Sequence, residues 1–309
     1  MLPYTFPNRQ LGRAANDGVL GNMLGQAHFV LPTTDYASYD AFNWTKNHKR
    51  NVYESVTDAL SACVAGRMDH IVLLPGTHTV TASLAMSKAG VSIWGPEMWA
   101  GLGYVESSAA ILTTSASDEV MNVTAANCAL KGLTLRPITA KPCVDFSAAG
   151  NALNIDGCFF DLETPAVNVA TVGIAATGAA RFRVTNSIFH SDGAQGQAIV
   201  ATATVRSLIQ GNRFHVSAGS WASVILCGAA TTGLHIDNNL FTCSGTAMTV
   251  GIDGTGATIA GGVHITRNIN GVLVTKLVDG FDATEAELGI NYICTDTGGT
   301  GGTLVTLTT

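Results

Sequence analysis

A strand-like motif that returns every 25 to 29 residues constrains the fold of this chain more than any other feature. Five segments share the pattern apolar-x-apolar-polar-Gly/Asn-x-x-Phe or a close variant of it: 153–160, 182–189, 208–214, 234–241 and 263–270. A looser sixth copy, 129–135, precedes them, and the final positions of the six copies lie 25, 29, 25, 27 and 29 residues apart. The alternating apolar positions predict a strand with one buried face, and the Gly or Asn that follows favours a sharp bend.

Further short apolar runs lie between these copies. They cover 144–146, 166–170, 197–202, 223–228 and 248–252. Each repeat therefore contains at least two strands and two turns, and nothing between the copies has the length and period of a helix. This pattern predicts an all-β parallel β-helix, whose coils stack at about 4.8 Å. The alternative, a β-sandwich, predicts less regular spacing and more hairpin signals than the single Asn-Gly at 270–271.

Stacked coils place equivalent positions of the repeat in columns along the solenoid axis. The predicted columns are aliphatic (Ile155, Val184, Ile209, Ile236 and Ile265), aromatic (Phe160, Phe189, Phe214 and Phe241) and amide (Asn212, Asn239 and Asn268). We expect the first two columns to face inward, and the asparagines to form a hydrogen-bonded ladder at one turn.

The sequence divides into three parts. Residues 1–51 lack the repeat and are expected to form a mostly irregular N-terminal arm with one strand near 27–32. The solenoid covers 52–290 and opens with a capping helix at about 52–66, which has apolar residues at helical spacing and ends at a glycine. Residues 291–309 are expected to form a C-terminal β tail that pairs with the last coil or with another subunit.

The start of the solenoid resembles a known superfamily. A short helix, the strand sequence IVLLPGT (71–77) and the strand sequence GVSIWG (90–95) look like the opening of right-handed parallel β-helix proteins of the pectin-lyase-like superfamily. The order of these features, together with 24–42 and the ending at 288–299, is similar to that of head-decoration-type β-helix proteins of tailed bacteriophages. The first resemblance implies the fold, and the helix in it covers the open end of the solenoid.

The second resemblance implies a structural virion protein without enzymatic activity. Such a protein would bind and stabilise the head lattice as an oligomer, expected to be a homotrimer, and its partner would be the phage major capsid protein or another virion protein. The arm residues expected to contact the capsid are Phe6, Arg9, Leu11, Arg13, Leu20, Met23 and Leu24. The alternative is a tailspike-like β-helix protein that binds glycans or depolymerises polysaccharide.

The composition agrees with a protein that contacts other subunits. Charged residues make up 12% of the chain, against about 25% in an average soluble protein, and the net charge is −6. Nucleic acid is therefore not an expected partner. The longest uncharged stretch, 216–234, is interrupted by Ser, Gly and Thr, so no membrane helix is expected. The seven cysteines form no C-x-x-C pair and are expected to be buried, reduced thiols.

No catalytic residues are expected. The resemblance implies that a pectin hydrolase of this superfamily would carry an Asp-Asp pair and a Gly-His-Gly string, and neither occurs here. Asp161 and Asp192, which follow phenylalanines of the aromatic column on adjacent coils, are the alternative candidates for a carboxylate pair. Solvation of a turn explains both residues more simply. Asp156 and Asp237 share a column but lie three coils apart, which is too far for such a pair.

No metal or other cofactor is expected either. His235 and His264 occupy the same outward position on adjacent coils, and two imidazoles about 5 Å apart are the alternative candidates for metal ligands. No third ligand can be placed from the sequence. His190 and His215 form a second pair of the same kind, each following a phenylalanine. We therefore interpret these histidines as stacked polar ladders at a subunit interface.

Overall fold

The computed structural model describes the chain in thirteen stretches. They are 25–32, 51–95, 110–146, 152–162, 172–192, 196–217, 219, 221–244, 248–254, 259–271, 274–281, 285–293 and 303–304. Within them lie 29 strands and one α-helix.

The strands are short and follow one another with little else between them. The first half of the chain contains β1 (Ala27–Val30), β2 (Val52–Tyr53), α1 (Val56–Ala62), β3 (His70–Leu73), β4 (Gly76–Val80), β5 (Leu84–Met86), β6 (Ser92–Trp94), β7 (Ala110–Thr114), β8 (Met121–Val123), β9 (Cys128–Lys131), β10 (Thr134–Arg136), β11 (Val144–Phe146), β12 (Leu153–Asp156) and β13 (Phe159–Asp161). The second half contains β14 (Val172–Thr177), β15 (Arg183–Thr185), β16 (Ile188–Ser191), β17 (Gln197–Thr202), β18 (Leu208–Gln210), β19 (Arg213–Val216), β20 (Ser223–Cys227), β21 (His235–Asp237), β22 (Leu240–Cys243), β23 (Met248–Asp253), β24 (Val263–Thr266), β25 (Ile269–Asn270), β26 (Val274–Asp279), β27 (Ala286–Leu288), β28 (Tyr292–Ile293) and β29 (Thr303–Leu304).

These strands form three long sheets, and nearly all neighbours within a sheet are one coil apart in sequence. The first sheet has the order β2-β1-β3-β6-β9-β12-β15-β18-β21-β24-β27. The second has the order β4-β7-β10-β13-β16-β19-β22-β25-β28-β29, and the third runs from β5 through β8, β11, β14, β17, β20 and β23 to β26. Every described pairing is parallel except that of β28 with β29. The chain is thus an all-β parallel β-solenoid, as predicted.

The predicted inward columns are confirmed. The register places Ile155, Val184, Ile209, Ile236 and Ile265 opposite one another on successive strands of the first sheet. In the second sheet Phe160, Phe189, Phe214 and Phe241 stack in one column, with ring centroids 4.3, 5.0 and 5.0 Å apart and all four rings buried. Leu135 and Asn270 continue this column at its two ends. These side chains fill the interior between the three sheets.

The predicted asparagine ladder is also present, and it is one residue longer than predicted. Asn212 Nδ2 donates to Asn239 Oδ1 at 3.0 Å, and Asn239 Nδ2 donates to Asn268 Oδ1 at 2.9 Å. Asn268 Nδ2 in turn donates to Asn291 Oδ1 at 3.0 Å. Each of the first three amide groups also donates to a backbone carbonyl one coil earlier, so the buried amides have partners on both sides.

The capping helix α1 is shorter than the predicted 52–66. Ser55 is its N-cap and accepts a hydrogen bond from the Asp58 N–H at 3.0 Å, while Val52–Tyr53 belongs to strand β2. At the other end the backbone of Cys63 is already extended. The buried helix residues Val56, Ala59 and Leu60 lie against the first coils. No helix in the described part of the chain is long and apolar enough to cross a membrane.

The solenoid begins earlier and ends later than predicted. The strand expected near 27–32 is confirmed as β1, but it lies between β2 and β3 in the first sheet and so belongs to the solenoid. Residues 1–24 and 33–50 of the predicted arm, which include all seven expected capsid contacts, lie outside the described residues. Beyond residue 290, β28 pairs with β25, and β29 of the predicted tail pairs with β28 in antiparallel orientation. The six described cysteines are free thiols, five of them buried.

Candidate functional site

The outward face of the first sheet carries the polar side chains that the sequence singled out. Two columns of the register cross this face. One contains Asn154, Arg183, Leu208, His235, His264 and Glu287. The other contains Lys131, Asp156, Thr185, Gln210, Asp237 and Thr266. Alternation along each strand points these residues away from the aliphatic column, so they form the candidate site.

The predicted stacking of His235 and His264 is confirmed, and a third residue follows them. The two imidazole rings lie 4.6 Å apart with an interplanar angle of 20°. His264 Nδ1 lies 3.0 Å from Oε2 of Glu287, the next residue of the column. Among the described residues these three do not bring their donor atoms within 4.8 Å of one another, so the arrangement is a ladder and not a closed metal site.

Asp237 is the most strongly bound carboxylate of this face. Its Oδ1 accepts hydrogen bonds from Thr266 Oγ1 and Arg267 Nε, both at 2.8 Å. Its Oδ2 accepts from Gln210 Nε2 at 2.7 Å and from Arg267 Nη2. The Arg267 hydrogen bonds, helped by those from Thr266 and Gln210, lower the pKa of Asp237 to about 2. The carboxylate stays charged near neutral pH and joins three successive coils, so it cannot act there as a proton donor.

Asp156 has a similar role three coils earlier. Its Oδ1 accepts hydrogen bonds from Thr185 Oγ1 at 2.7 Å and from Asn186 Nδ2 at 2.9 Å. The register confirms that Asp156 and Asp237 are separated by three steps of the sheet. Both carboxylates are therefore bound by a Thr of the following coil and by the residue after it.

The structure does not place Asp161 and Asp192 at neighbouring positions. The register partner of Asp161 is His190, because Asp161 directly follows Phe160 whereas Asp192 lies three residues after Phe189. Asp192 comes two residues after His190 and is exposed. Asp161 is buried, and its Oδ2 accepts from both Nε and Nη2 of Arg136 at 2.6 Å. The prediction that the two carboxylates lie at adjacent positions was therefore wrong. Asp161 forms an ion pair with Arg136 instead.

The second histidine pair is stacked as predicted. The rings of His190 and His215 lie 5.4 Å apart with an interplanar angle of 6°. His215 Nδ1 lies 2.9 Å from Thr242 Oγ1, which occupies the next position of the column. This ladder, like that of His235 and His264, connects neighbouring coils of the outer surface.

A cleft of about 410 Å³ lies between α1 and β5. Small hydroxyl side chains line it together with Lys88, whose Nζ donates to the backbone oxygens of Ser61 at 2.6 Å and Cys63 at 2.7 Å. Since the ammonium group is bound to the carbonyls at the end of the helix, its contacts in this cleft fasten the cap.

Sequence reasoning missed the residues that bind the carboxylates. Arg136 ends β10 and Arg267 directly follows β24, and none of the other copies of the repeat has an arginine at either position, so the repeat pattern did not mark them. Glu287 was missed because it lies only 23 residues after His264 in a coil that lacks the Phe ending. A search for donors 29 or 30 residues after each aspartate of the repeat would have found Thr266 and Arg267 for Asp237.

Comparison with known proteins shows the fold and no closer relationship. No family model matches the chain, and no curated protein matches it. The pectin methylesterase of Aspergillus niger, in its deglycosylated form, superposes with a TM-score of 0.51 at 13% identity, over 79% of this chain and 83% of that one. This chain therefore has the right-handed parallel β-helix of the pectin-lyase-like fold.

Two further solved structures are similar over comparable lengths. ORF18 of Geobacillus virus E2 matches at 11% identity with a TM-score of 0.40, over 78% of this chain and 57% of that one. The alginate lyase of Paenibacillus sp. str. FPU-7 matches at 17% identity with a TM-score of 0.45, over 77% and 92% of the two chains. With TM-scores below 0.5, neither match says more about this chain than the fold already does.

Proposed function

We propose that this chain is a structural, non-enzymatic protein of a phage virion, and that it binds the head lattice as a decoration protein. The observation that carries the proposal is the use of the outer polar side chains: Asp156, Asp161 and Asp237 are all bound by donors from neighbouring coils. Hydrogen bonds of this kind join neighbouring coils and make the solenoid stiffer. The sequence resemblance to head-decoration-type proteins supports a position on the phage head.

A homotrimer is the assembly that we propose. Exposed apolar side chains lie near the C-terminal end of the solenoid, where Ile269 and Tyr292 are register neighbours in the second sheet and Ile290 is close in sequence. Ile290 is 57% and Tyr292 47% exposed. Contact with another copy would remove this apolar surface from water.

The N-terminal arm is the part that we propose to contact the capsid. All seven residues expected to make this contact lie within 1–24, ahead of β1. A deletion that reaches past residue 26 would remove β1 from between β2 and β3 and would damage the sheet. The informative variant is therefore a deletion of residues 1–24.

The test is co-sedimentation with heads of the phage that encodes the chain, prepared without this protein. We expect the full chain to sediment with the heads, and the variant lacking 1–24 to stay in the supernatant while it keeps its β-sheet circular dichroism and melting temperature. If the full chain does not bind, the decoration role is wrong. If the deletion variant binds equally well, the role of the arm is wrong.

The same preparation tests the glycan-cleaving alternative. The full chain is incubated with a panel of acidic and neutral polysaccharides, and new reducing ends and unsaturated products are measured. We expect neither. Cleavage that is lost in Asp161→Asn or Asp192→Asn, with the fold intact, would replace the structural proposal by the enzymatic one.

A further inference from the structure

Three side chains with different ligand atoms meet under the N-terminal cap, away from the outer face of the first sheet. His28 comes from β1, Cys63 follows α1, and Asp69 precedes β3. Their exposed fractions are 2%, 3% and 0%. One imidazole nitrogen, the thiol sulfur and one carboxylate oxygen all lie within 4.8 Å of one another. We call these three residues the cap cluster.

His28 has an unused nitrogen that points into the cap cluster. Its Nδ1 lies 3.2 Å from the Tyr53 hydroxyl oxygen. Its Nε2 is inaccessible to solvent and has no hydrogen-bond partner in the described part of the chain. The nearest carboxylate oxygen, Asp69 Oδ2, is 3.7 Å away, which is too long for a hydrogen bond. With its ring proton on Nδ1, facing the Tyr53 hydroxyl, His28 offers the lone pair of Nε2 to a ligand in the cluster.

Asp69 supplies a permanent negative charge. Its oxygens accept hydrogen bonds from the backbone N–H groups of Gln26 at 2.8 Å and Val64 at 2.7 Å. They also accept from Arg67 Nε at 2.6 Å and Nη2 at 2.7 Å. Burial alone would raise the pKa of Asp69, but the hydrogen bonds from Arg67, Gln26 and Val64 outweigh it and hold the pKa well below its usual range. The side chain of Arg67 is 38% exposed and has room to turn into solvent.

Cys63 supplies the softest ligand atom. Its Sγ donates to the Ala59 carbonyl oxygen at 3.3 Å, and burial raises its pKa to about 11. The group is a thiol near neutral pH and would have to lose its proton to bind a metal ion.

We propose that the cap cluster is a zinc site, with His28 Nε2, Cys63 Sγ and a carboxylate oxygen of Asp69 as ligands. Nitrogen, sulfur and oxygen donors from His, Cys and Asp are the set that Zn²⁺ uses in proteins, and three protein ligands leave a fourth position for water. On binding, the S–H bond of Cys63 breaks, the Zn–S bond forms, and the proton leaves to solvent. The thiolate and the carboxylate together balance the charge of the ion, and Arg67 moves away from Asp69.

The proposal gives the cap a function beyond covering the core. The ligands come from three segments: the strand β1, the end of α1 and the residue directly before β3. One ion would therefore connect the first strand of the solenoid, the capping helix and the turn that leads into β3.

The test is titration of the full chain, freed of metal by chelation, with Co²⁺ and Zn²⁺ alone. We expect one equivalent of Co²⁺ to give the near-ultraviolet charge-transfer band of a cobalt–thiolate bond, and Zn²⁺ to displace it. His28→Gln and Cys63→Ser should abolish the band. Cys128→Ser is the matched control, because Cys128 is also buried, but its sulfur donates to the backbone oxygens of Lys88 and Ala126 and is not part of the cap cluster.

Arg67→Ala distinguishes a ligand site from a merely structural cluster. Removing the guanidinium leaves each Asp69 oxygen with one backbone hydrogen bond, from Gln26 or Val64, and with a lone pair for the metal, so we expect the affinity for metal to rise on the order of tenfold. A structural role alone predicts a less stable protein with no gain in binding. Circular dichroism of each variant checks that it is folded. The proposal is overturned if neither the natural chain nor Arg67→Ala gives the band, or if folded His28→Gln binds as tightly as the natural chain.

Discussion

Single residues on the outer face fasten one coil to the next. Asp156 is bound by Thr185 and Asn186, and Asp237 is bound by Thr266 and Arg267 in the same relation. In both cases the second donor has a left-handed backbone, with φ of 51° at Asn186 and 56° at Arg267. The turn after the strand thereby carries the donor back over the carboxylate of the previous coil.

The Asp237 carboxylate should make stability depend on pH in the acid range. Its folded pKa of about 2 lies below the ordinary 3.8, so its contribution is fully present above about pH 4 and is lost as the pH falls towards 2. The shift corresponds to roughly 2 kcal/mol. Asp237→Asn should lower the free energy of unfolding by about this amount at pH 7, and by much less at pH 2, in urea titrations.

Asp279→Asn is the control for that measurement. Asp279 forms an exposed ion pair with Lys276 at 2.9 Å. Such pairs contribute about 0–1 kcal/mol, so this variant should unfold almost like the natural chain at both pH values. An equal loss in the two variants would show that the buried network around Asp237 has no special role.

Loss of one asparagine from the ladder should clearly destabilise the protein. Asn239→Ala removes the acceptor of the Asn212 backbone N–H and side-chain amide. It also removes the side-chain amide that donates to Asn268 Oδ1 and to the Ile209 carbonyl oxygen. Because these groups are buried, we expect a loss on the order of 2–4 kcal/mol in the free energy of unfolding. Asn154→Ala, at an exposed position of β12, should change it by less than about 0.5 kcal/mol. Similar values for both variants would contradict a structural role of the ladder.

At the scale of elements, the aromatic stack ties the strands of the second sheet to the core. Phe214 lies between Phe189 and Phe241, with a centroid distance of 5.0 Å on each side. Phe214→Ala should lower the free energy of unfolding by about 3–5 kcal/mol, because it leaves a cavity between two rings that cannot close it. Phe214→Leu should lose clearly less. A loss below about 1 kcal/mol for Phe214→Ala would mean that the coils collapse around the gap.

The elements also show what the sequence could and could not predict. Columns such as that of the phenylalanines were predictable because every coil repeats the same position, so the spacing alone sets the register. Strand β1 was placed correctly but assigned to the arm, since its partner β3 lies 43 residues further on and outside the repeat. The cap cluster was not predicted, because its three residues belong to separate segments with no shared period.

At the scale of the whole molecule, the sequence predicts an assembly. In light scattering we expect the full chain to have three times the mass of one chain. Replacing Ile290 and Tyr292 together by Lys should yield monomers, since it places two charges in the exposed apolar surface at the C-terminal end. The same change at Val64, which is exposed near the cap, should leave the trimer intact. A natural chain that is monomeric would contradict the proposed assembly.

The parallel pairing of each coil with the one before it also determines how the chain can be built during synthesis. A ribosome adds about 5–20 residues per second, so a coil of 25 to 29 residues emerges in about 1–6 s. Strand pairing takes microseconds, so one coil can pair before the next has been synthesised. Each new coil therefore pairs with a sheet edge that is already formed. Growth from the capped end would resemble the elongation of a filament, with each newly synthesised coil of the same chain taking the place of an added subunit. The N-terminal cap would then serve as the nucleus of that growth, because it leaves the exit tunnel before the coils that stack on it.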